Sequence, residues 1–274
     1  MKDDKNLFFQ KNGVKLLKFR IFEQYNDKLV HCFTTRIGGV STGECESLNL
    51  GFKRRDSREN VIENYKRVCS ALDINIEDIV LSDQVHDKKI KTVYESDRGK
   101  GILKNSDIIG VDGLITNKKN IALVTFYADC VPVYIFDTGK TAIGLAHSGW
   151  KGTLKEIARE MVEKMHAEYG SRPSDMKAVI GPSIGKCCFE VGDEVVDAFL
   201  TGIPWSKSFI SKNDGEKWKI DLKAVVKKTL MNSGVLEENI EVSNICTKCC
   251  KSIFFSYRGD EGKTGSLAAI MQLK

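Results

Sequence analysis

The chain has 274 residues, a formal net charge of +5 and 42% hydrophobic content, enough apolar material for a substantial buried core and too much for intrinsic disorder. The positive excess is spread out: Lys53-Arg54-Arg55 and Lys227-Lys228 are its densest groups and have acidic residues close by, which gives nucleic-acid binding little support. No run of about 18 apolar residues occurs, and residues 1–6 lack the basic-then-apolar order of a secretory signal, so a cytoplasmic protein with no membrane partner and nine reduced cysteines is expected.

With four prolines and no repeat or low-complexity linker, residues 1–274 are expected to form one domain. Apolar alternation from Val14 to Phe22 and from Lys28 to Thr34 predicts an opening pair of strands, followed by the loop Thr35-Arg36-Ile37-Gly38-Gly39-Val40-Ser41. Asp56 and Glu59 stand at capping-box spacing and open a helix with Val61, Tyr65, Val68, Cys69 and Leu72 on its apolar face. Ile121 to Phe126, Val131 to Phe136 and Thr141 to Ala146 read as three closely spaced strands rich in branched or aromatic residues. Cys130 falls between the first two, and His147 closes the third.

A second helix is expected from Thr153, with Glu156 reaching back to cap it and Leu154, Ile157, Ala158, Met161, Val162 and Met165 as its buried stripe; Gly170 and Pro173 end it. Backbone donors at its start, in a loop containing Gly149 and Gly152, suit an anionic ligand. The remainder alternates: a strand from Met176 to Ile180, a helix from Asp193 to Leu200, strands near Lys207 to Ser211 and Lys217 to Leu222, and a helix from Leu222 to Ser233. Strands at Asn239 to Ile245, Ser252 to Tyr257 and Gly265 to Leu273 complete it. Interspersed hairpins and helices indicate an α+β or layered α/β fold.

Three short stretches carry the chemistry: Gln84-Val85-His86, Ala128-Asp129-Cys130 and Ala146-His147-Ser148-Gly149-Trp150-Lys151-Gly152. They hold two of the four histidines and one thiol. A thiolate and two imidazoles form a good ligand set for zinc and leave the fourth tetrahedral position open, where bound water loses its proton near neutral pH. Asp129 would orient a ligand or trade protons beside the metal, and Gln84 would hold a polar substrate edge. Taken singly, each of His86, Cys130 and His147 also reads as an ordinary structural residue, and spacings of 44 and 17 residues match no local metal pattern.

Five other cysteines compete for attention. Cys246-Thr247-Lys248-Cys249-Cys250 contains a C-x-x-C, whereas Cys187-Cys188 are adjacent rather than spaced to chelate together, so all five are expected to be structural or incidental thiols. The zinc nucleobase-deaminase signature, His-x-Glu with a later Pro-Cys-x-x-Cys, is missing.

The succession of motifs is more specific than any one of them. After Thr35 to Ser41 come Ser47-Leu48-Asn49-Leu50-Gly51, Gln84-Val85-His86, Asp112-Gly113-Leu114-Ile115-Thr116, Ala128-Asp129-Cys130 and Ala146-His147-Ser148-Gly149-Trp150. Gly181-Pro182-Ser183-Ile184-Gly185, Cys188-Phe189-Glu190-Val191-Gly192 and Phe255-Ser256-Tyr257-Arg258 close the series. From about Thr34 onward this closely resembles the YfiH-like family, once labelled laccase-domain or polyphenol oxidase proteins. The resemblance implies a single layered α-β-β-α domain with mixed sheets and a metal, usually zinc, held by His86, Cys130 and His147. It also implies phosphorolysis of adenosine, inosine and methylthioadenosine, together with adenosine deaminase activity; some relatives are linked instead to peptidoglycan editing. Purine nucleoside and phosphate are the implied partners.

Four histidines are far too few for the mononuclear and trinuclear copper centres of a multicopper oxidase, although the His, Cys, His trio also suits a single cupric ion. Arg36, Arg258 and Lys151 are the candidate phosphate-positioning cations, with Asp129 as candidate proton shuttle. Where many relatives show arginine, this chain has Lys151, Gly259 and Ser266, which weakens the expected grip on phosphate. An alternative makes Cys130 the nucleophile of a hydrolase acting on amide or peptidoglycan-type bonds, with His86 or His147 as its base. A third treats the protein as a binding or quality-control factor with a relic metal site.

Overall fold

The structure, a computed structural model, describes residues 6–212, 215 and 217–274; residues 1–5, read above as part of a start without a secretory signal, lie outside them. Its strands are β1 (Asn6–Lys11), β2 (Val14–Phe19), β3 (Leu29–Thr34), β4 (Ile79–Leu81), β5 (Ile90–Thr92), β6 (Gly113–Thr116), β7 (Ala122–Tyr127), β8 (Val131–Asp137), β9 (Ala142–Ser148) and β10 (Met176–Ile180). They continue with β11 (Glu190–Val191), β12 (Ile210–Lys212), β13 (Trp218–Ile220), β14 (Ile240–Val242) and β15 (Leu267–Leu273). The helices are α1 (Arg58–Leu72), α2 (Trp150–Leu154), α3 (Ile157–Tyr169), α4 (Asp193–Gly202) and α5 (Leu222–Asn232).

Two six-stranded mixed sheets, in the orders β1-β2-β3-β15-β7-β4 and β14-β10-β8-β9-β6-β5, lie face to face, and β11-β13-β12 form a small third sheet. Strand β8 shows why its sequence is continuously apolar. Val131, Val133 and Ile135 point one way, into a core shared with Met161 and Met165 of α3 and Val225 and Leu230 of α5. Tyr134 and Phe136 point the other way, toward Phe33, Leu123 and Met271 of the first sheet. On the far side of that sheet, Val61, Tyr65, Val68 and Leu72 of α1 pack on Leu16, Val124 and Ile270. The layers are therefore helix, sheet, sheet, helix, an α+β architecture as expected. Among the described residues no helix is long and apolar enough to cross a membrane.

Several expected boundaries move, each for a local reason. The first helix begins at Arg58 because Ser57 is its cap, accepting from the Asn60 N–H, while Asp56 turns to Ser41, Asn49 and Asn60. The expected second helix is two: Glu156 sits at φ 55° between α2 and α3, and Thr153 lies inside α2 with its hydroxyl paired to Ser148. The helix following His147 is thus a single turn, too short to add a macrodipole's worth of anion attraction. Arg20–Tyr25 and Pro204–Phe209 are 3-10 turns rather than strand extensions. Ser252 to Tyr257 is not a strand: the Ile253 and Phe254 N–H groups fold back onto the Cys250 carbonyl, and Phe254 and Phe255 are buried as plugs. Strands β1, β4, β5, β6 and β11 were not anticipated; the last four have two to four residues each, too short for alternation to register.

The Tyr134 hydroxyl donates to the Cys32 carbonyl at 2.9 Å, a hydrogen bond between the two sheets. Tyr134→Phe should destabilise the fold by about 1 kcal/mol in urea unfolding, with an unchanged denaturant slope; no loss would mean the bond adds nothing to sheet packing.

Candidate active site

The site forms where the chain passes from one sheet to the other. β4 and β7 run parallel in the first sheet, and the chain leaves the same end of each to enter the second. His86 lies on the first crossover, between β4 and β5, and Ala128-Asp129-Cys130 is the second, between β7 and β8. His147 arrives on β9, where it pairs with Pro132 of β8. Residues 44 and 17 positions apart thereby meet: one ligand atom from each of His86, Cys130 and His147 falls within 4.8 Å of the others. The Cys130 Sγ stands 4.0 Å from His86 Nε2, and the two imidazoles lie edge to face with centroids 4.8 Å apart.

A residue quoted above only as part of a motif, with no role attached, organises this meeting. Asp112, fully buried just ahead of β6, accepts the backbone N–H groups of Val85, His86 and Asp87, each at 3.0 Å. It also takes the His147 Nδ1–H at 2.9 Å, and its own carbonyl accepts the His147 backbone N–H. One carboxylate therefore bends the Gln84–Asp87 turn, in which His86 adopts φ 62°, and fixes the His147 ring with Nε2 turned away from it. Burial pushes the Asp112 carboxyl up, but His147 and the converging N–H groups more than offset this and hold it below the usual carboxylate range.

Burial likewise pushes the Cys130 thiol up, yet the adjoining His147 and His86 imidazoles bring it down to about 6. Burial pushes His147 down, while the Cys130 thiolate and Asp112 raise it to about 9. Without a metal the pair is a thiolate beside an imidazolium at neutral pH. Gly149 is where space runs out: a Cβ there would stand 2.8 Å from the His86 ring and 3.3 Å from the Cys130 sulfur. Two borderline nitrogens, one soft deprotonated sulfur and a carboxylate behind one imidazole fit a divalent transition metal.

The trio opens into a cavity of about 480 Å³, within the roughly 300–1,000 Å³ range of small-molecule sites. Phe126, Trp150, Phe189 and Tyr257 give it aromatic walls, and Arg54 and Arg258 line it with positive charge. Arg258 is held over the Phe189 ring and donates to the Glu190 carbonyl at 3.0 Å. Arg54 was anticipated only as part of a basic cluster. Its Nε donates to the Ser266 hydroxyl at 2.8 Å, so a guanidinium from the 51–56 loop leans on the position where relatives were expected to supply one.

The other expected site residues fare differently. Asp129, at φ 85°, lines the cavity, but its carboxylate accepts both the Thr247 hydroxyl at 2.6 Å and the Arg258 N–H at 2.7 Å, so it clasps loops instead of orienting a histidine. Gln84 is engaged with the Phe126 backbone, donating to its carbonyl and accepting its N–H, and lies on an adjoining hollow. Arg36 is away from the cavity lining, with its guanidinium on the Glu46 and Lys251 carbonyls and stacked over Phe255. Lys151 is exposed and does not line the cavity; its ammonium lies over Trp150. Of the remaining histidines, His31 is buried against Phe19 and Phe22 and His166 bonds the Ser171 carbonyl, so neither joins a metal cluster.

The sequence model of the family described as "Multi-copper polyphenol oxidoreductase laccase" matches residues 30–274. Purine nucleoside phosphorylase YlmD of Bacillus subtilis (strain 168) is 39% identical over 253 residues, covering 92% of this chain and 91% of that protein. The crystal structure of YlmD from Geobacillus stearothermophilus superimposes with a TM-score of 0.91 at 35% identity, over 98% of this chain and 99% of that one. That of the Bacillus licheniformis hypothetical protein YfiH gives 0.90 at 36% identity, over 97% and 99%.

Two measurements check this site. Asp112→Asn keeps the shape but sets an amide NH2 against two of the N–H donors, and should lower zinc affinity by about 10–100-fold in competition with a chromogenic chelator; unchanged affinity removes Asp112 from the site. In metal-free protein, alkylation of Cys130, followed by peptide mass, should be flat above pH 7 and fall as pH drops through about 6. The thiolate is the reacting form, so a depressed value keeps the rate high to lower pH. A midpoint near the ordinary thiol value would contradict the thiolate–imidazolium pair.

Proposed function

The chain belongs to the laccase-type family described above, and from that membership and the geometry of the cavity we propose that it is a metal-dependent purine nucleoside phosphorylase, acting on adenosine, inosine and methylthioadenosine, with adenosine deaminase activity at the same site. The observation that carries the reading is the convergence of His86, Cys130 and His147 at a cavity walled by aromatic rings and flanked by two arginines.

His86, Cys130 and His147 would hold the ion, zinc being the best match to one sulfur and two nitrogens and copper the next. A divalent ion there supplies Lewis acidity and an open coordination position. The protein does the rest. Aromatic faces bury the purine and keep water away from the glycosidic bond. Arg54 and Arg258 hold phosphate so that one of its oxygens bonds to the anomeric carbon while the bond to the purine nitrogen breaks, the electron pair leaving with the base, which takes up a proton. Asp129 serves this step indirectly, by fixing the Arg258 backbone. In deamination the same pocket would let water replace the exocyclic amino group, released as ammonia.

The Cys130, His147 and Asp112 series also has the order of a thiol hydrolase triad, the one observation favouring that second reading. Metal ligation consumes the same sulfur, so the two readings exclude each other at full occupancy.

Zinc-loaded protein incubated with adenosine or inosine should release base and ribose 1-phosphate only when phosphate is present, and inosine should form from adenosine, both followed by chromatography. Arg54→Ala should raise the KM for phosphate at least about tenfold, the loss of one charge-assisted contact, while Arg36→Ala should leave it unchanged. No product with metal-loaded protein, or activity confined to metal-free protein, would sink the proposal.

A further inference from the structure

The five cysteines set aside above include four that the fold gathers elsewhere. Cys187 and Cys188 follow β10 on the loop toward β11, and Cys246 and Cys249 lie beyond β14 on a separate loop; the isolated bridge between Ser183 and Cys246 joins the two loops. One sulfur from each residue lies within 4.8 Å of the others. The Cys249 Sγ is 3.7 Å from that of Cys187 and 3.5 Å from that of Cys188. Four sulfurs bound tetrahedrally at about 2.3 Å from one ion stand about 3.8 Å apart, whereas a disulfide needs about 2.05 Å. The Gly185 N–H points at the Cys246 sulfur from 3.2 Å, as a donor to a thiolate would, and a Cβ on Gly185 would come within 3.2 Å of the Cys187 sulfur.

We propose that Cys187, Cys188, Cys246 and Cys249 bind a second metal ion, a structural zinc distinct from the ion of the catalytic cavity. The ligands are all soft and close the tetrahedron, which leaves no position for substrate and selects zinc over the oxygen-seeking divalent ions. A zinc with four thiolates carries two net negative charges. The surrounding lysines offset them: Lys186 and Lys248 sit between or beside the ligands, and buried Lys223 is anchored on the Ser243 and Ile245 carbonyls, the latter adjoining Cys246.

The place of the ion explains its use. The first loop lines the catalytic cavity through Ile184 and Phe189, and the second lies behind that wall, reaching it through Asp129. Thr247, between two of the cysteines, donates its hydroxyl to Asp129, and its N–H goes to the Ser183 carbonyl. A tetrathiolate zinc would staple these loops where short strands and turns supply few backbone pairings of their own.

The test is metal stoichiometry in full-length protein purified reduced and without chelators. Wild-type protein should hold two zinc ions per chain by elemental analysis, Cys130→Ala one, and Cys249→Ser one. The remaining ion in Cys130→Ala, exchanged for cobalt, should show the intense sulfur-to-metal absorption of four thiolates. Wild-type protein supplies a second readout that does not depend on the folding of Cys249→Ser: zinc should protect Cys187 and Cys249, both exposed, from a thiol reagent that modifies them once zinc is removed. Retention of no metal by well-folded Cys130→Ala, or a disulfide among these four cysteines in the reduced preparation, would overturn the proposal.

Discussion

The carboxylate of Asp112 is the constraint on which the site depends. A buried charge is costly unless hydrogen bonds and an opposite charge compensate it. Here three backbone N–H groups and one imidazole do so, and each comes from a segment that must be in place for the histidines to meet. Satisfying the aspartate and assembling the ligand trio are the same event. The left-handed backbone at His86, unfavourable for a residue with a side chain, is held by those N–H contacts.

Asp129 repeats the device on the opposite wall. Like His86 it adopts a left-handed backbone, it is almost fully buried, and its two oxygens bind the loop that holds Thr247 and the loop that holds Arg258. The two aspartates divide the work: one sets the geometry of His86 and His147, the other sets the cationic wall of the cavity at Arg258. Asp129 lies where the chain crosses between sheets, and Asp112, just ahead of β6, holds the other crossover at residues 85–87, so the rigid sandwich supplies position and the crossovers supply chemistry.

Much of this was legible in the sequence, and the reasons separate what was from what was not. Strands β7 to β10 and helices α1, α3 and α5 announce themselves because long buried elements need long periodic apolar stretches. The convergence of His86, Cys130 and His147 was legible through the resemblance of their three motifs to those of a known family, since nothing local in spacings of 44 and 17 residues requires them to meet. Asp112 appeared only within a motif and Arg54 only within a basic cluster, because both act through contacts with residues far along the chain, which one-dimensional pattern does not encode. Arg36 misled for the opposite reason: a cation in a glycine-rich loop has the composition of a phosphate site, yet its guanidinium is absorbed by backbone carbonyls and the face of Phe255. The cysteine pairs were discounted because adjacency along the chain was taken as poor chelating geometry, a constraint that holds for one pair alone and lapses when a second loop brings two more sulfurs.

The two sulfur-containing clusters are joined through Asp129, whose carbonyl accepts the Ile184 N–H at 2.8 Å and whose carboxylate accepts the Thr247 hydroxyl at 2.6 Å. Cys130 is the direct neighbour of Asp129, whose carboxylate accepts from Thr247, the residue immediately after Cys246. Displacing the loop at Cys246 and Cys249 would withdraw the Thr247 hydroxyl and leave a buried carboxylate oxygen short of a partner, a cost of about 1–3 kcal/mol or more for a charged group. The relief available to Asp129 is to rotate, and rotation would pull on the Arg258 N–H and on the backbone next to Cys130. Order at the four-cysteine loops is therefore order at the cavity wall, because Asp129 is held by both loops, at its carbonyl by Ile184 and at its carboxylate by Thr247.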